Sequence, residues 1–140
     1  MSGLSKLQKQ ILLLALGNRE LKVRPDCYGD LDLYSPEILE RVYGFPVEER
    51  YGWFGKVTTR GDPTRQHFRL AVIGRARYNS AQAAVSRAFR RLQERGLVER
   101  QRGAYAAWHG INLTPEGADQ AKRLTECHIV QVLTVTAEVA

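Results

Sequence analysis

The amino-acid sequence predicts a mainly α-helical protein with one small β-hairpin, and three observations carry this prediction. Apolar residues recur at helical spacing within the first 16 residues and again between residues 79 and 95. Between residues 97 and 113, two short strand-like runs flank a turn-forming stretch, which is typical of a hairpin. With 140 residues, 44% of them hydrophobic and 26% charged, the chain has a globular composition, so we expect a single domain over residues 1–140.

The first predicted helix spans Leu4 to Leu16. Apolar residues are spaced three and four apart along it, with polar residues opposite, so one face is suited to a core or a dimer interface. Gly17 and Asn18 are expected to end this helix. Its apolar positions are Leu4, Leu7, Ile11 and Leu14.

A second, short helix is predicted from Ser35 to Gly44. Ser35 is the expected N-cap, Pro36 the first helical residue and Glu37 an acidic residue of the first turn, while Gly44 ends the helix.

Residues 45–78 form an aromatic-rich segment that we interpret as an insertion. Tyr51, Trp53 and Phe54 lie among glycines, which indicates a loop or irregular hairpin whose aromatic rings pack inward or line an effector pocket. Asp62 followed by proline then favours a helix over Pro63 to Ile73.

The clearest segment is a helix over about residues 80–95. Asn79 is the expected N-cap with Gln82 three residues on, and Gly96 the expected terminator. One side of this helix is apolar and must face a core. The other side begins with small residues and then becomes strongly cationic: it shows Ser80, Ala83, Arg87, Arg90 and Glu94, with Ser86 and Arg91 at its margins.

A hairpin over about residues 97–113 follows, and then another helix. Thr114 with Pro115 repeats the cap-and-proline pattern that starts a helix. The tail from His128 to Ala140 is rich in Val, Ile and Thr, so both a continued helix and a strand remain open.

Basic residues are concentrated in the middle of the chain. Between Lys56 and Arg102 there are twelve Lys or Arg residues against three acidic residues, whereas the rest of the chain has nine against twelve. A localised basic tract is typical of proteins that bind a polyanion, although charge clusters also occur on merely solvated helix faces.

The order of helix, hairpin and helix, combined with this basic tract, predicts a winged helix-turn-helix that binds DNA. Ser80 and Ala83 are short enough for close approach to a major groove, and Arg87 is the candidate for reading a guanine. At Arg87, a phosphate or an intramolecular carboxylate is the alternative partner. The remaining candidate DNA contacts are Asn79, Ser86, Arg90, Arg91 and Arg95 on the helix, with Arg100 and Arg102 on the hairpin.

Two stretches carry a resemblance to a known family. Val85-Ser-Arg-Ala-Phe-Arg-Arg-Leu-Gln-Glu-Arg-Gly-Leu-Val-Glu-Arg100 and Leu113-Thr-Pro-Glu-Gly117 resemble the core of MarR-type winged-helix regulators, over about a third of the chain. The resemblance implies that the first stretch is the recognition helix. It also implies a homodimer on a pseudo-palindromic site, with Leu4 to Leu16 and Ala118 to Ala140 at the dimer interface.

The sequence departs from that family in the spacing before the recognition helix. In the family the preceding helix is separated from it by a short turn, whereas Ser35 to Gly44 lies about 35 residues upstream. Two possibilities follow: an insertion over about residues 45–78, or a recognition helix braced by Pro63 to Ile73.

Enzymatic and metal sites are not indicated. No nucleophile and base pair or phosphate-binding loop is recognisable, Cys27 and Cys127 are far apart, and the three histidines are scattered. We therefore expect no enzyme activity, metal or cofactor, while a small-molecule effector stays open. Without an apolar run of about 18 residues, a cytoplasmic location is expected and no membrane association.

The favoured function is sequence-specific binding of double-stranded DNA by a dimeric transcriptional regulator. One alternative is a winged helix that serves as a protein-interaction module in a larger assembly. The other is non-specific nucleic-acid binding, for example in plasmid or phage maintenance.

Overall fold

The architecture is given by a computed structural model, which describes residues 3–21, 31–47, 49–52, 55–58, 68–102 and 109–139. It is mainly helical with a small antiparallel sheet, as the sequence predicts. In chain order the elements are α1 (Lys6–Leu21), β1 (Leu33–Tyr34), α2 (Ser35–Arg41), β2 (Glu49–Gly52), β3 (Gly55–Thr58), α3 (Leu70–Ile73), α4 (Arg75–Glu94), β4 (Val98–Arg102), β5 (His109–Leu113) and α5 (Pro115–Val139).

The predicted hairpin, β4 and β5, is joined by a strand that the sequence does not reveal. The order in this antiparallel sheet is β1-β5-β4, with Leu33 of β1 opposite Ile111 of β5. Gly110 permits the approach of β1, because a Cβ atom there would lie 2.5 Å from the backbone oxygen of Leu33. The sheet therefore connects the segment before α2 with the segment after α4.

Helix α1 begins with a capping box and is longer than predicted. The Ser5 hydroxyl accepts from the Gln8 N–H at 3.2 Å, and the Gln8 side chain accepts from the Ser5 N–H at 3.0 Å. The helix then continues through Gly17 and Asn18 to Leu21, so the prediction that these residues end it is wrong.

Tertiary hydrogen bonds explain why α1 continues. The Asn18 side chain donates to the Asp32 carbonyl and to the Glu37 carboxylate, both at 2.9 Å. Arg19 donates to the Asp32 carboxylate at 2.6 Å and to the Leu113 carbonyl at 2.8 Å. In an isolated segment, the glycine and asparagine at positions 17 and 18 would favour unwinding of this end of the helix. In the protein, the bonds of Asn18 and Arg19 hold the end of α1 against α2 and β5.

Helix α2 is confirmed with a shift of one residue at its start. Tyr34 is the N-cap and Ser35 the first helical residue, and the Glu37 carboxylate accepts from the Tyr34 N–H at 3.0 Å. Ile38 and Leu39 are fully buried. Gly44, at φ +69°, follows the end of the helix as predicted.

The aromatic-rich segment contains an antiparallel hairpin, β2 with β3, and one helical turn, α3. Trp53, Phe54 and the side chain of Tyr51 lie outside the described residues, as do positions 63–67 of the predicted helix. Only Leu70–Ile73 of that helix is described as helical.

Helix α5 settles the open question about the C-terminal tail, since it remains helical to Val139. Its start is fixed by Thr114, whose hydroxyl donates to the Gly96 carbonyl at 2.7 Å and accepts from the Gly117 N–H at 3.0 Å. A Cβ atom at Gly117 would lie only 1.8 Å from the Leu97 oxygen, so this position requires glycine.

The core joins α1, α2, α4 and the start of α5 to the sheet. Its largest fully buried side chains in the described part of the chain are Phe89, Ile11, Leu12, Leu33, Ile38, Leu39, Leu92, Ile111, Val85 and Val98, while Tyr34 is buried in a separate cluster with Leu31. None of the described helices has both the length and the apolar character needed to cross a bilayer.

Candidate nucleic-acid interface

Helix α4 begins at Arg75, four residues before Asn79, which the sequence predicts as its N-cap. Gly74, at φ +90°, is the N-cap, and its carbonyl accepts the first intrahelical bond from the Tyr78 N–H at 3.0 Å. The prediction that Asn79 caps the helix is therefore wrong. The Gln82 amide, which would complete such a cap, donates to the Tyr78 hydroxyl at 3.0 Å instead. Residues 75–78, which the sequence assigns to an insertion, are the first turn of this helix.

The C-terminal end of α4 is confirmed. Gly96 has φ +75°, the Leu97 N–H donates to the Leu92 carbonyl at 3.0 Å, and the Gly96 N–H donates to the Gln93 carbonyl at 2.9 Å. These two bonds are those of a Schellman motif. The motif turns the chain directly into β4, so the hairpin lies beside the helix that precedes it.

The apolar face of α4 is buried as predicted. Ala81, Val85, Ala88, Phe89 and Leu92 are each at most 6% exposed. Helix α2 packs against α4, and α3 contacts it as the single turn that is joined to it through Gly74.

The opposite face of α4 is exposed and divides into two halves. At about 100° per residue, four exposed positions of the first half share one side of the helix and carry no charge, whereas the exposed Arg75 and Arg77 lie outside this side. The four uncharged positions are Ala76, Asn79, Ser80 and Ala83. The second half continues on the same side with three exposed arginines, Arg87, Arg90 and Arg91. Glu94 is also exposed and lies on the same side, one turn after Arg90 and Arg91. We call these eight residues the α4 outer face.

The arginines of the α4 outer face form no ion pair with the described residues. The ion pair found among the described residues joins Arg19 to Asp32, and none in that part of the chain involves Arg87, Arg90 or Arg91. The helix as a whole has five arginines and a single acidic residue, Glu94. The outer face therefore presents donors and positive charge to the solvent.

An aromatic cluster fixes the first turn of α4. The rings of Phe45, Phe68 and Tyr78 have centroids 6.0 to 6.3 Å apart, and the Arg77 guanidinium lies 5.2 Å from the centre of the Phe45 ring. Burial raises the pKa of the Tyr78 hydroxyl, against the opposite effect of its hydrogen bond with Gln82. The segment between α2 and α3 thus orients the N-terminus of α4.

Two of the residues that the sequence predicts to contact DNA, Ser86 and Arg100, form a hydrogen bond with each other. Arg100 donates from Nη2 to the Ser86 hydroxyl at 2.9 Å, and its guanidinium lies 6.0 Å from the centre of the Phe89 ring. Its backbone N–H donates to the Gln93 side chain at 3.0 Å. Arg100 thereby joins β4 to α4 at the margin of the outer face where Ser86 lies.

Arg95 and Arg102 are the other two candidate DNA contacts near the hairpin. Arg95, the C-cap of α4, is exposed. Arg102 is the last residue of β4, opposite His109, and its side chain lies outside the described part of the structure.

A cleft of about 290 Å³ lies between α4, the start of α2 and the hairpin. Leu39, Val85 and Phe89 provide apolar lining, and the polar lining residues are Ser35, Gln82, Ser86, Arg100 and His109. The Nε atom of Arg100 is buried without a hydrogen-bond acceptor in the described structure. An unpaired buried donor costs about 1–3 kcal/mol, so this atom is an unfavourable feature of the cleft.

Sequence reasoning misses several of these residues. It places Ala76 and Arg77 outside the helix, although Gly74 followed by helix-favouring Arg and Ala residues is a signal for an earlier start. The cleft gives no sequence signal, because its lining comes from three separate segments. Leu70 (40%) and Val72 (62%) are exposed beside the start of α4, so the prediction that a helix over Pro63 to Ile73 buries Val72 is wrong.

Comparisons with known proteins add no assignment: no protein-family model matches the chain, and neither a curated protein nor a solved structure shows significant similarity to it.

Proposed function

We propose that this protein binds double-stranded DNA sequence-specifically, with α4 as the recognition helix of a winged helix-turn-helix. The observation that carries the proposal is the α4 outer face, with its small first half and its unpaired arginines in the second half. Small side chains let a helix approach base edges, and arginines supply donors for guanine and phosphate.

The arrangement around α4 supports the same proposal. When the inserted β2, β3 and α3 are set aside, the remaining order α1, β1, α2, α4, β4, β5, with β1 added to the hairpin, is the order expected of a winged helix. Arg75 and Arg77 place positive charge at the positive end of the helix dipole, which is unfavourable in the free protein. A DNA phosphate at this end would relieve that repulsion.

The role proposed is that of a dimeric transcriptional regulator of the MarR-like type, with α1 and α5 at the dimer interface. These two helices pack against each other within one chain. A mass twice 15.9 kDa in light scattering would support the dimer, and a monomeric mass at micromolar concentration would contradict it.

A matched pair of charge variants tests DNA binding. Arg90→Gln with Arg91→Gln removes two exposed charges from the α4 outer face, and Arg41→Gln with Arg69→Gln removes two exposed charges that lie outside α4 and outside the helices of the proposed dimer interface. We expect only the first pair to weaken binding to a 30-base-pair duplex, by about tenfold. The same pair should reduce the salt slope by about 0.9 for each phosphate that the protein no longer neutralises. Equal effects of the two pairs would indicate binding through net charge alone.

One observation favours a second function, a protein-interaction module. Leu70 and Val72 are exposed apolar residues next to the basic start of α4, a combination that suits a partner with apolar and acidic side chains. Absence of duplex binding even at low salt would favour this function over DNA binding.

A further inference from the structure

We propose that the surface formed by α3 and the first turn of α4 docks a segment of a partner protein that carries acidic and apolar side chains together. This inference rests on the protein-interaction function named above and assigns a surface to it. We call the surface the α3 platform, and its residues, all of them exposed, are Arg69, Leu70, Ala71, Val72, Arg75 and Arg77. None of them belongs to the α4 outer face, so the inference does not depend on whether that face reads DNA.

The centre of the α3 platform is an exposed apolar run. Leu70, Ala71 and Val72 are consecutive and all exposed. Leu70, at 40%, and Val72, at 62%, are the exposed large hydrophobic residues of the described part of the chain. A run of about three consecutive apolar residues in water is unfavourable unless it has a function, and binding a partner would bury it.

The platform is held in a fixed conformation by the aromatic cluster beneath it. The Arg69 N–H donates to the Pro46 carbonyl at 3.0 Å, and the Arg77 guanidinium lies 5.2 Å from the centre of the Phe45 ring. Because the surface is already ordered, the protein loses little conformational entropy when a partner binds there.

The charge around the apolar run selects the partner. Arg69, Arg75 and Arg77 form no ion pair with the described residues, and the sequence from Phe68 to Gln93 contains no acidic residue. A second copy of this chain would bring the same arginines to the surface, so like-charge repulsion disfavours self-association through it. A phosphate backbone complements the arginines alone. A segment with acidic and apolar side chains complements both parts of the platform.

Nuclear magnetic resonance titration tests the proposal with a synthetic peptide of about 14 residues, made of leucine and glutamate at helical spacing. We expect saturable shifts of the amides of Leu70, Val72 and Arg75, with a Kd on the order of 100 μM. Two control peptides should each bind at least about fivefold more weakly, one with glutamine in place of every glutamate and one with serine in place of every leucine. The comparison of peptides needs no variant and so does not depend on a variant's folding.

One pair of variants tests the apolar part of the platform. Leu70→Ser with Val72→Ser should abolish the difference between the leucine and serine peptides. Ala76→Ser with Ala83→Ser, at exposed positions of the α4 outer face, should retain it.

A second pair tests the charged part. Arg69→Gln with Arg75→Gln should abolish the difference between the glutamate and glutamine peptides, whereas Arg87→Gln with Arg91→Gln should retain it.

Equal binding of all the peptides to the wild type would overturn the proposed chemistry of the partner. Shifts confined to other surfaces would overturn the α3 platform while leaving the protein-interaction function in place elsewhere. A DNA duplex that shifts the amides of Leu70 and Val72 where the peptide does not would assign the platform to DNA instead. The peptide titration contains no DNA, so its failure is distinguishable from failure of DNA binding.

Discussion

Arg100 of β4 donates a hydrogen bond from Nη2 to the hydroxyl of Ser86 in α4 at 2.9 Å. By sequence both residues are candidates for contact with DNA, and the structure engages them with each other. The bond fixes the hairpin against the helix, and with it the position of the proposed wing relative to the proposed recognition helix.

Loss of this bond should reduce stability. Ser86→Ala leaves Nη2 of a half-buried guanidinium without its acceptor, so we expect the free energy of unfolding to fall by about 1–2 kcal/mol. The control is Ser80→Ala, an exposed position on the same helix, which should change it by less than about 0.5 kcal/mol. Urea denaturation measures both, and equal values for the two variants would show that the bond contributes nothing.

The revised start of α4 gives a second prediction. If Gly74 rather than Asn79 caps the helix, Asn79→Ala replaces an exposed interior residue by a better helix former and should stabilise the protein by about 0.5 kcal/mol. Ser5→Ala, in contrast, removes the observed cap of α1 and should cost about 1 kcal/mol. Urea denaturation shows whether each variant raises or lowers the free energy of unfolding. A decrease of about 1 kcal/mol on Asn79→Ala would mean that Asn79 is the cap after all.

The third prediction is that replacing each of two helical glycines by alanine changes the free energy of unfolding in opposite directions. Gly117→Ala places a Cβ 1.8 Å from the Leu97 oxygen, where backbone must shift, so a loss of about 3 kcal/mol is expected. Gly17→Ala in α1 meets nothing within 4 Å and should stabilise by about 0.5–1 kcal/mol. Thermal and urea unfolding of the two variants check the signs, and similar changes for both would contradict the close packing of α5 on Leu97.

The parts of the fold that sequence predicts well are those with local chemical signals. Gly96 requires a positive φ at the end of α4, and Thr114 with Pro115 starts α5, so both boundaries could be located without tertiary information. The hairpin between them follows from its two strand-like runs, and β4 and β5 both lie within the predicted residues 97–113.

The parts that sequence misses depend on distant partners. Strand β1 is two residues long and exists only through its pairing with β5. Helix α1 passes Gly17 because Asn18 and Arg19 bond to distant residues. The same reason applies to the candidate site, since the periodicity of α4 gives its exposed face, whereas the cleft requires the folded neighbours of Arg100.

Selection from a randomised duplex pool, with wild-type protein and with Arg87→Ala, tests the central claim most directly. The wild type should enrich one motif with two related half-sites. Arg87→Ala should bind that motif more weakly by about 1–3 kcal/mol and tolerate any base at one guanine position of each half-site. Failure of the wild type to enrich a motif at low salt, or an unchanged motif with Arg87→Ala, would contradict sequence reading through the α4 outer face.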